Sequence, residues 1–596
     1  MLNSSLLGST ALFRTLKVLI LDLETTVQRF DGKIDNSPFN PDNRCVSAHF
    51  HFLGEPVQNL VFHHNEKAIP DSPALMRSAL EAADVIVCHN AKFDVMWLTE
   101  MGFHIPPRVY CTMIGEYVLA KGQRQELSLK ATAERRNVTR KKSDLVDGLF
   151  RSGTGFEAMP LETVLEYAEA DVVSCGEIYQ AQLEDFDTDK NKSMMNIVDL
   201  MNEMLLFLVE IERNGIKIDA KALEDLKIEF TVEHKQLSQR LNDIVDMVMG
   251  DTPINLNSGA DMTKVVYSRE VIDRNVHQRV WNIGVGANGK PLYPPRMNAS
   301  EFARAVRATT TIIQKTDALC CDVCDGRGKI HKFKKDGDPF KNQNSCPSCG
   351  GVGAFFKPNG KAAGLRLNPE DASYASINGF KTDKTTIKSL IKQAELKKND
   401  IAIEFLTKMS RLNALSTYLD SFIKGIETWT RPDGILHTQF NQCITATGRL
   451  SSTTPNLQNM PKRGFPVRKA VISRFENGEI IEIDYSGIEF VMAGELSRDP
   501  QIISDVMNGK DLHKQTASII YQCSEDEVSK DLRQASKKFS FAPIYGGLGA
   551  GEADHVRAYF STFFDIYEGL GAYHRRLADG VLKNGIVQIP SGRQFF

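Results

Sequence analysis

Nowhere in the 596 residues do 18 apolar side chains run without interruption, so no membrane-spanning helix is expected. The start of the chain also lacks the charged n-region and apolar h-region of a secretory leader. Net charge is lacking too. With 72 basic and 75 acidic residues the chain sits at −3, so only local basic surface could meet a polyanionic partner. What is present is ordinary for globular protein, 42% hydrophobic and 25% charged, over a length that suggests about three to five domains. Eleven cysteines are spread unevenly, five of them between Cys320 and Cys349. Without a leader, a reducing intracellular compartment is the simplest setting for them.

A strand is expected around 17–26, where Asp22 and Glu24 fall on one face by the period-two geometry of an extended chain. A second strand, 85–90, leads through Asn90 into a helix that begins near Asp94. Tyr167 and Asp171 stand four apart in a helical run over 161–179 and so share one side of it. Arg135, Arg136, Arg140, Lys141 and Lys142 form a basic cluster, either a solvated face or a DNA contact. Long amphipathic helices are expected over 194–214, stopped by Gly215, and over 220–249, and 254–258 resembles a known segment that leads into a further helix.

Between 270 and 380 lie two Cys-x-x-Cys knuckles, Cys321 with Cys324 and Cys346 with Cys349, each followed by a Gly-x-Gly turn. Thiolates spaced this way can all reach one zinc ion, and a four-cysteine set is closed, which makes the ion structural. Cys320 is left over. The knuckles resemble the cysteine-rich modules of DnaJ-type chaperones. Lys329, His331, Lys332, Lys334 and Lys335 on the intervening loop suggest a contact with duplex DNA or a replication partner.

The later chain carries Thr-Ala-Thr-Gly-Arg-Leu-Ser-Ser at 445–452 and Pro-Asn-Leu-Gln-Asn-Met-Pro at 455–461. The run 479–489 reads as a strand closing on Asp484, then a turn at Ser486 and Gly487. Arg533, Lys537, Phe541 and Tyr545 recur every fourth residue and so line one helical face, although Pro543 should kink or end that helix before Tyr545.

These ordered blocks resemble the family A DNA polymerases, and the acids of the first block resemble the three motifs of the 3′→5′ proofreading exonucleases. The resemblance implies an α/β multidomain chain: a ribonuclease H-like exonuclease domain (1–185), then a right-hand polymerase. Its thumb region would span 186–435, interrupted by the 270–380 insert with a zinc module at 317–356. The first part of the palm would follow at 436–498 and the fingers at 499–596. Asp22, Glu24, Asp94 and Asp171 would hold two magnesium or manganese ions, Tyr167 would orient the attacking water, and Asn90 would touch the terminal nucleotide. Asp484 would bind both polymerase metals, assisted by the Tyr485 carbonyl, and Glu489 would crowd the sugar 2′ position. Arg533, Lys537, Phe541, Tyr545 and His513 would grip the nucleotide. Arg449, Gln458 and Asn459 would meet the minor groove near the primer end.

Two departures stand out. Gly487 takes the place of a polar residue, and no His-Asp-Glu occurs in the sequence, although relatives use that motif for a second metal-binding carboxylate. The palm is therefore expected to be incomplete, with open sheet edges. Three readings follow: a split polymerase whose partner chain brings the missing carboxylate, a fragment of a longer product, or an exonuclease only. A non-catalytic DNA-binding replication protein is the further alternative. Primer–template DNA and deoxynucleoside triphosphates are the expected partners, no membrane is, and the expected compartment is the cytoplasm, the host's if a bacteriophage encodes the chain.

Overall fold

The computed structural model describes residues 10–30, 32–270, 311–333, 339–369, 380–461, 464–549 and 554–596. Lys334 and Lys335 lie outside them. Contacts divide the chain into two compact units, 1–218 with 428–460 and 471–596, and 219–427 with 461–470. This division differs from the four-part scheme expected above. The helix over 195–214, expected in the thumb, belongs to the first unit.

The first unit begins on a five-stranded sheet. Its strands are β1 (Val18–Thr25), β2 (Cys45–Phe52), β3 (Gln58–Val61), β4 (Val85–Cys88) and β5 (Arg108–Cys111), in the order β3-β2-β1-β4-β5. β4 and β5 run parallel to β1, whereas β2 is antiparallel to β1 and β3 antiparallel to β2. Leu19, Ile20 and Leu21 are all fully buried, so successive residues on both faces of β1 are covered. A strand sandwiched this way needs a continuous apolar run rather than an alternating one, which is why 18–21 reads Val-Leu-Ile-Leu. Among the helices of the region are α1 (Lys92–Glu100), α2 (Thr112–Leu119), α3 (Leu161–Asp187) and α4 (Met195–Asn214), with α3 packed on β1 and β2. α4 stops at Gly215, whose φ of +56° carries little penalty without a side chain.

The second unit is helical. α5 (Ala220–Met249) is capped by the Asp219 carboxylate, which accepts from the Lys221 and Ala222 N–H groups. α6 (Gly259–Tyr267) is capped by Ser258, as the segment before it suggested. The unit also holds two antiparallel ribbons, β6 (Gln314–Cys320) with β9 (Ala354–Ala362) and β7 (Lys329–Phe333) with β8 (Pro339–Ser345). α7 (Lys384–Leu396) and α8 (Asp400–Thr417) pack on each other and α8 on α5, around Leu241, Val266, Leu390 and Phe405.

The remaining chain returns to the first unit. A short ribbon, β10 (Gln439–Asn441) with β11 (Ser451–Thr453), is followed by α9 (Ile488–Ser497), α10 (Leu512–Tyr521) and α11 (Lys530–Phe541). A last ribbon joins β12 (Val587–Gln588) to β13 (Gln594–Phe595). α11 ends at Phe541, before Pro543, and Tyr545 sits on the turn beyond.

The expected strand over 479–484 is absent. Residues 479–487 follow an irregular exposed path, with Ile481 80% and Ile483 91% exposed. An alternating segment becomes a strand when a neighbour accepts its backbone bonds and a core accepts its apolar face. Neither is supplied by any described strand. Among the described residues, no helix is long and apolar enough to cross a membrane.

Candidate active sites

Asp22 and Glu24 project from the far half of β1, and Asp171 comes from α3 packed against it. Their carboxylate oxygens lie within 4.8 Å of one another. Asp94, on the first turn of α1, turns one oxygen to the Leu23 N–H at 3.2 Å. Repulsion between Asp94 and Asp22 marks all four acids as one electrostatic group. Burial, reinforced by Asp171, pushes Asp22 up to about 7, and Glu24, Asp94 and Asp171 are all raised above the usual carboxylate range, chiefly by burial. Tyr167 hydrogen-bonds Asp171, and its phenol is pushed up by burial and by the neighbouring acids.

One member of this site was placed differently by the sequence. Lys141, grouped above with the basic cluster, pairs its ammonium with Asp171 and holds it 4.5 Å from the centre of the Tyr167 ring. Burial pulls Lys141 down, but Asp171, Asp22 and Glu24 outweigh it and hold it above the ordinary lysine range. Four carboxyl groups face one ammonium, too little positive charge to hold all of them ionised, and Asp171 Oδ1 is buried without a hydrogen-bond partner. An oxygen-rich, electron-rich, partly unsatisfied cluster of this kind fits hard divalent cations.

Of the rest of the basic cluster, Arg135, Arg140 and Lys142 are exposed and Arg136 is half-buried. Arg135 and Arg136 both bond Glu116, which is 3% exposed and also accepts from Gln182, and Arg136 reaches Asp185 as well. Lys142 pairs with Glu166. Arg135, Arg136 and Lys142 are thus paired with acids of the same region. No linear spacing announces a partner as distant as Glu116. Asn90 takes the left-handed conformation, φ +63°, between β4 and α1, and lines the cleft beside the acids' helix.

In the insert, the sulfurs of Cys321, Cys324, Cys346 and Cys349 also lie within 4.8 Å of one another. Cys321 and Cys346 are 3.9 Å apart, Cys324 and Cys349 3.7 Å. Tetrahedral zinc with bonds of about 2.3 Å needs about 3.8 Å between sulfurs. Gly328 and Gly353 each donate an N–H to a knuckle sulfur, at 3.2 Å to Cys324 and 3.2 Å to Cys349. Both glycines have positive φ, and a Cβ on either would meet backbone carbonyl oxygen at 2.2–2.3 Å, so the Gly-x-Gly turns serve close approach of the two knuckles.

The later site residues fall into three places. Arg533 donates to Asp511 at 2.6 Å beside His513, whose ring meets Phe541 edge-on at 4.9 Å. Burial, then Arg533 and Lys537, lower the His513 pKa, against Asp511 and Glu489, so α9, α10 and α11 bring these groups together. His513 Nδ1 is buried without a partner, and Tyr545 is 66% exposed. Arg449 lies at the end of the loop between β10 and β11, with Gln458 and Asn459 beyond β11, all exposed. Asp484 and Tyr485 stand on the exposed irregular segment. No acidic cluster of metal-holding geometry includes Asp484 among the described residues.

Residues 365–596 match the profile of DNA polymerase family A, and residues 58–185 match that of the 3′-5′ exonucleases. Residues 365–596 thus carry the profile of the family A DNA polymerases, behind a 3′-5′ exonuclease region. The chain is 33% identical over 188 residues to DNA polymerase I of Bacillus subtilis (30% of this chain, 21% of that protein). With DNA polymerase I of Borreliella burgdorferi the identity is 37% over 201 residues, 32% of this chain and 21% of that protein. The DNA polymerase of Bacillus phage SP01 is 24% identical over 502 residues, 81% of this chain and 47% of the phage protein. The chain thus spans about a fifth to a half of these relatives. Among solved structures, the POL domain of Pol1 from M. smegmatis, in complex with DNA primer-template and dNTP, matches with a TM-score of 0.61 at 19% identity. That likeness covers 100% of this chain and 81% of the other, and concerns the fold.

Proposed function

We propose that this chain excises nucleotides from DNA 3′ ends at the Asp22, Glu24, Asp94 and Asp171 site, and that residues 428–596 bind primer–template and a deoxynucleoside triphosphate for template-directed synthesis. The observation that carries the first half is the buried acidic cluster with its unsatisfied Asp171 oxygen. Those four acids would hold two magnesium or manganese ions, which when bound supply activation of water and neutralisation of the leaving oxygen. The chain's own residues do the rest. Tyr167, held by Asp171, directs its hydroxyl toward the attacking water, Lys141 offers a fixed positive charge to the scissile phosphate, and Asn90 contacts the terminal nucleotide.

For synthesis, Arg533, Lys537 and His513 would meet the triphosphate as charge-assisted donors, with Phe541 and Tyr545 against sugar and base. Glu489 would exclude a 2′-hydroxyl, and Arg449, Gln458 and Asn459 would sense pair shape in the minor groove. Asp484, helped by the Tyr485 carbonyl, would hold metal as one half of a carboxylate pair. The other carboxylate comes from outside residues 1–596, on further sequence of the same polypeptide or on a second chain. Support for this is the bare surface around Asp484: Phe475, Ile480, Ile481, Ile483 and Tyr485 are exposed, as are Ile488, Val491 and Met492 on α9, an apolar accumulation typical of a surface awaiting a partner. A palm segment carrying the acid is the occupant proposed. The insert would bind one structural zinc and touch duplex DNA or a replisome protein. A cytoplasmic setting suits both substrates.

Purified residues 1–596 with magnesium should shorten a labelled primer and leave it unextended when all four triphosphates are present, and metal analysis should return one zinc per chain. Extension by the purified chain would overturn the missing-carboxylate reading, and no shortening would overturn the first half.

A further inference from the structure

The loop 442–450, which ends on Arg449, is closed at its base by the β10–β11 pairing of Asn441 with Ser451. Its underside is pinned by side chains from elsewhere in the unit. Tyr117, on α2 of the exonuclease region, donates its hydroxyl to the Thr445 carbonyl at 2.6 Å. Arg593, only 8% exposed, donates to that same hydroxyl oxygen at 2.6 Å and to the Ala446 carbonyl at 3.2 Å, with its guanidinium 4.9 Å from the Tyr117 ring centre. Gly448 has φ +87°, and a Cβ there would lie 2.3 Å from Arg593 Nη1, so this glycine is what lets the guanidinium come up under the residue before Arg449. Within the loop, Thr445 Oγ1 donates to the Arg449 carbonyl at 2.7 Å, so the pin at Thr445 reaches the backbone of Arg449 in one further bond.

The root of the loop is held just as firmly. Lys92, two residues from both Asn90 and Asp94, donates to the Phe440 carbonyl at 2.6 Å and pairs with Glu212, whose carboxylate accepts the Phe440 N–H at 2.6 Å. Between these pins Cys443 packs against the core and Gln442 donates to the Met201 carbonyl at 2.9 Å. A cavity of about 690 Å³ lies beneath the loop, lined in part by Asn90, Ile114, Leu205 and Cys443. Where a cavity takes the place of close packing, the short, directed hydrogen bonds to carbonyls are the contacts that set the height of the loop.

We propose that Tyr117 and Arg593 are positioning residues for primer-end binding: they fix the Arg449 loop against the duplex and thereby set how often a paired 3′ end is surrendered to the exonuclease site. This rests on the reading of Arg449 as a duplex contact. Tyr117 belongs to the exonuclease region by sequence, yet in this role it serves the other activity.

The test compares excision of a matched primer–template with excision of the same strand unpaired, using residues 1–596 and magnesium. Tyr117→Phe keeps the ring under the guanidinium and removes the bonded hydroxyl. Excision of the paired end should rise about fivefold, the equivalent of one lost hydrogen bond, while the unpaired strand is cut within about twofold of the parent rate. Arg593→Lys, which keeps the charge and loses the forked geometry, should shift the same ratio in the same direction should the tyrosine variant fold poorly. Arg449→Ala should reproduce the rise, and combining it with Tyr117→Phe should add nothing. Paired and unpaired rates moving together in Tyr117→Phe and Arg593→Lys, or not moving at all, would overturn the proposal. If Arg449→Ala leaves the ratio unchanged, the underlying reading of Arg449 fails instead.

Discussion

The two acidic sites of this chain are built in opposite ways. Asp22, Glu24, Asp94 and Asp171 come from three elements packed round one sheet, and their surroundings exist whether or not anything is bound. Asp484 stands on an exposed segment whose neighbouring isoleucines are bare. The contrast shows that the same residue type at the same kind of sequence position, an acid closing an apolar run, is prepared for chemistry only when the fold supplies the opposite wall.

The sharpest way to break this comparison is to remove one acid from each site. Asp171→Ala should lower excision of unpaired DNA by about a thousandfold, whereas Asp484→Ala should leave that rate unchanged. Equal losses, followed by radiolabelled release of mononucleotide, would mean the sites are not independent. A second test addresses what holds the buried site together. Arg136→Ala strips a cation from Glu116, leaves its buried carboxylate short of partners, and should destabilise the protein by about 3 kcal/mol in denaturant titration. No matching residue exists at Asp484, whose substitution should change stability by less than about 0.5 kcal/mol.

The third and smallest effect is a pH dependence. A carboxyl raised from 3.8 to about 7 in the folded state binds its proton more tightly there than when unfolded. Folding is therefore favoured below the unfolded value and loses that contribution as pH climbs from about 4 through about 7. Without metal, the melting temperature should fall by several degrees between pH 5.5 and pH 8, and magnesium should recover it at pH 8 far more than at pH 5.5. Asp22→Asn should flatten the metal-free profile. A profile already flat in the parent would show that the acids are not held at raised pKa.

Much of this was legible in the chain. The 220–249 helix and the Gly215 stop follow from periodicity and capping residues that act over a few positions, and the approach of Asp22 to Asp171 from the resemblance of their motifs to the exonucleases. So does the closeness of four cysteines whose two knuckles specify each other through Gly328 and Gly353. What was not legible depended on residues far apart in sequence. Lys141 was one charge among five until α3 brought Asp171 under it, and Arg135 and Arg136 found Glu116 across 19 and 20 residues of chain. The 479–484 run carries the alternation of a strand, and nothing in that alternation says whether a neighbouring strand exists.

The ribbon that carries the cysteine knuckles closes on itself: β6 starts at Gln314 and β9 ends at Ala362, and these two residues face each other across the pair. Strand partners so placed have Cα atoms about 5 Å apart, the span of a tight turn. A coding segment inserted at such a doorway enters and leaves without separating the helices on either side, so it can be gained or lost in one genetic event. Its history can therefore differ from that of the helices between which it is set.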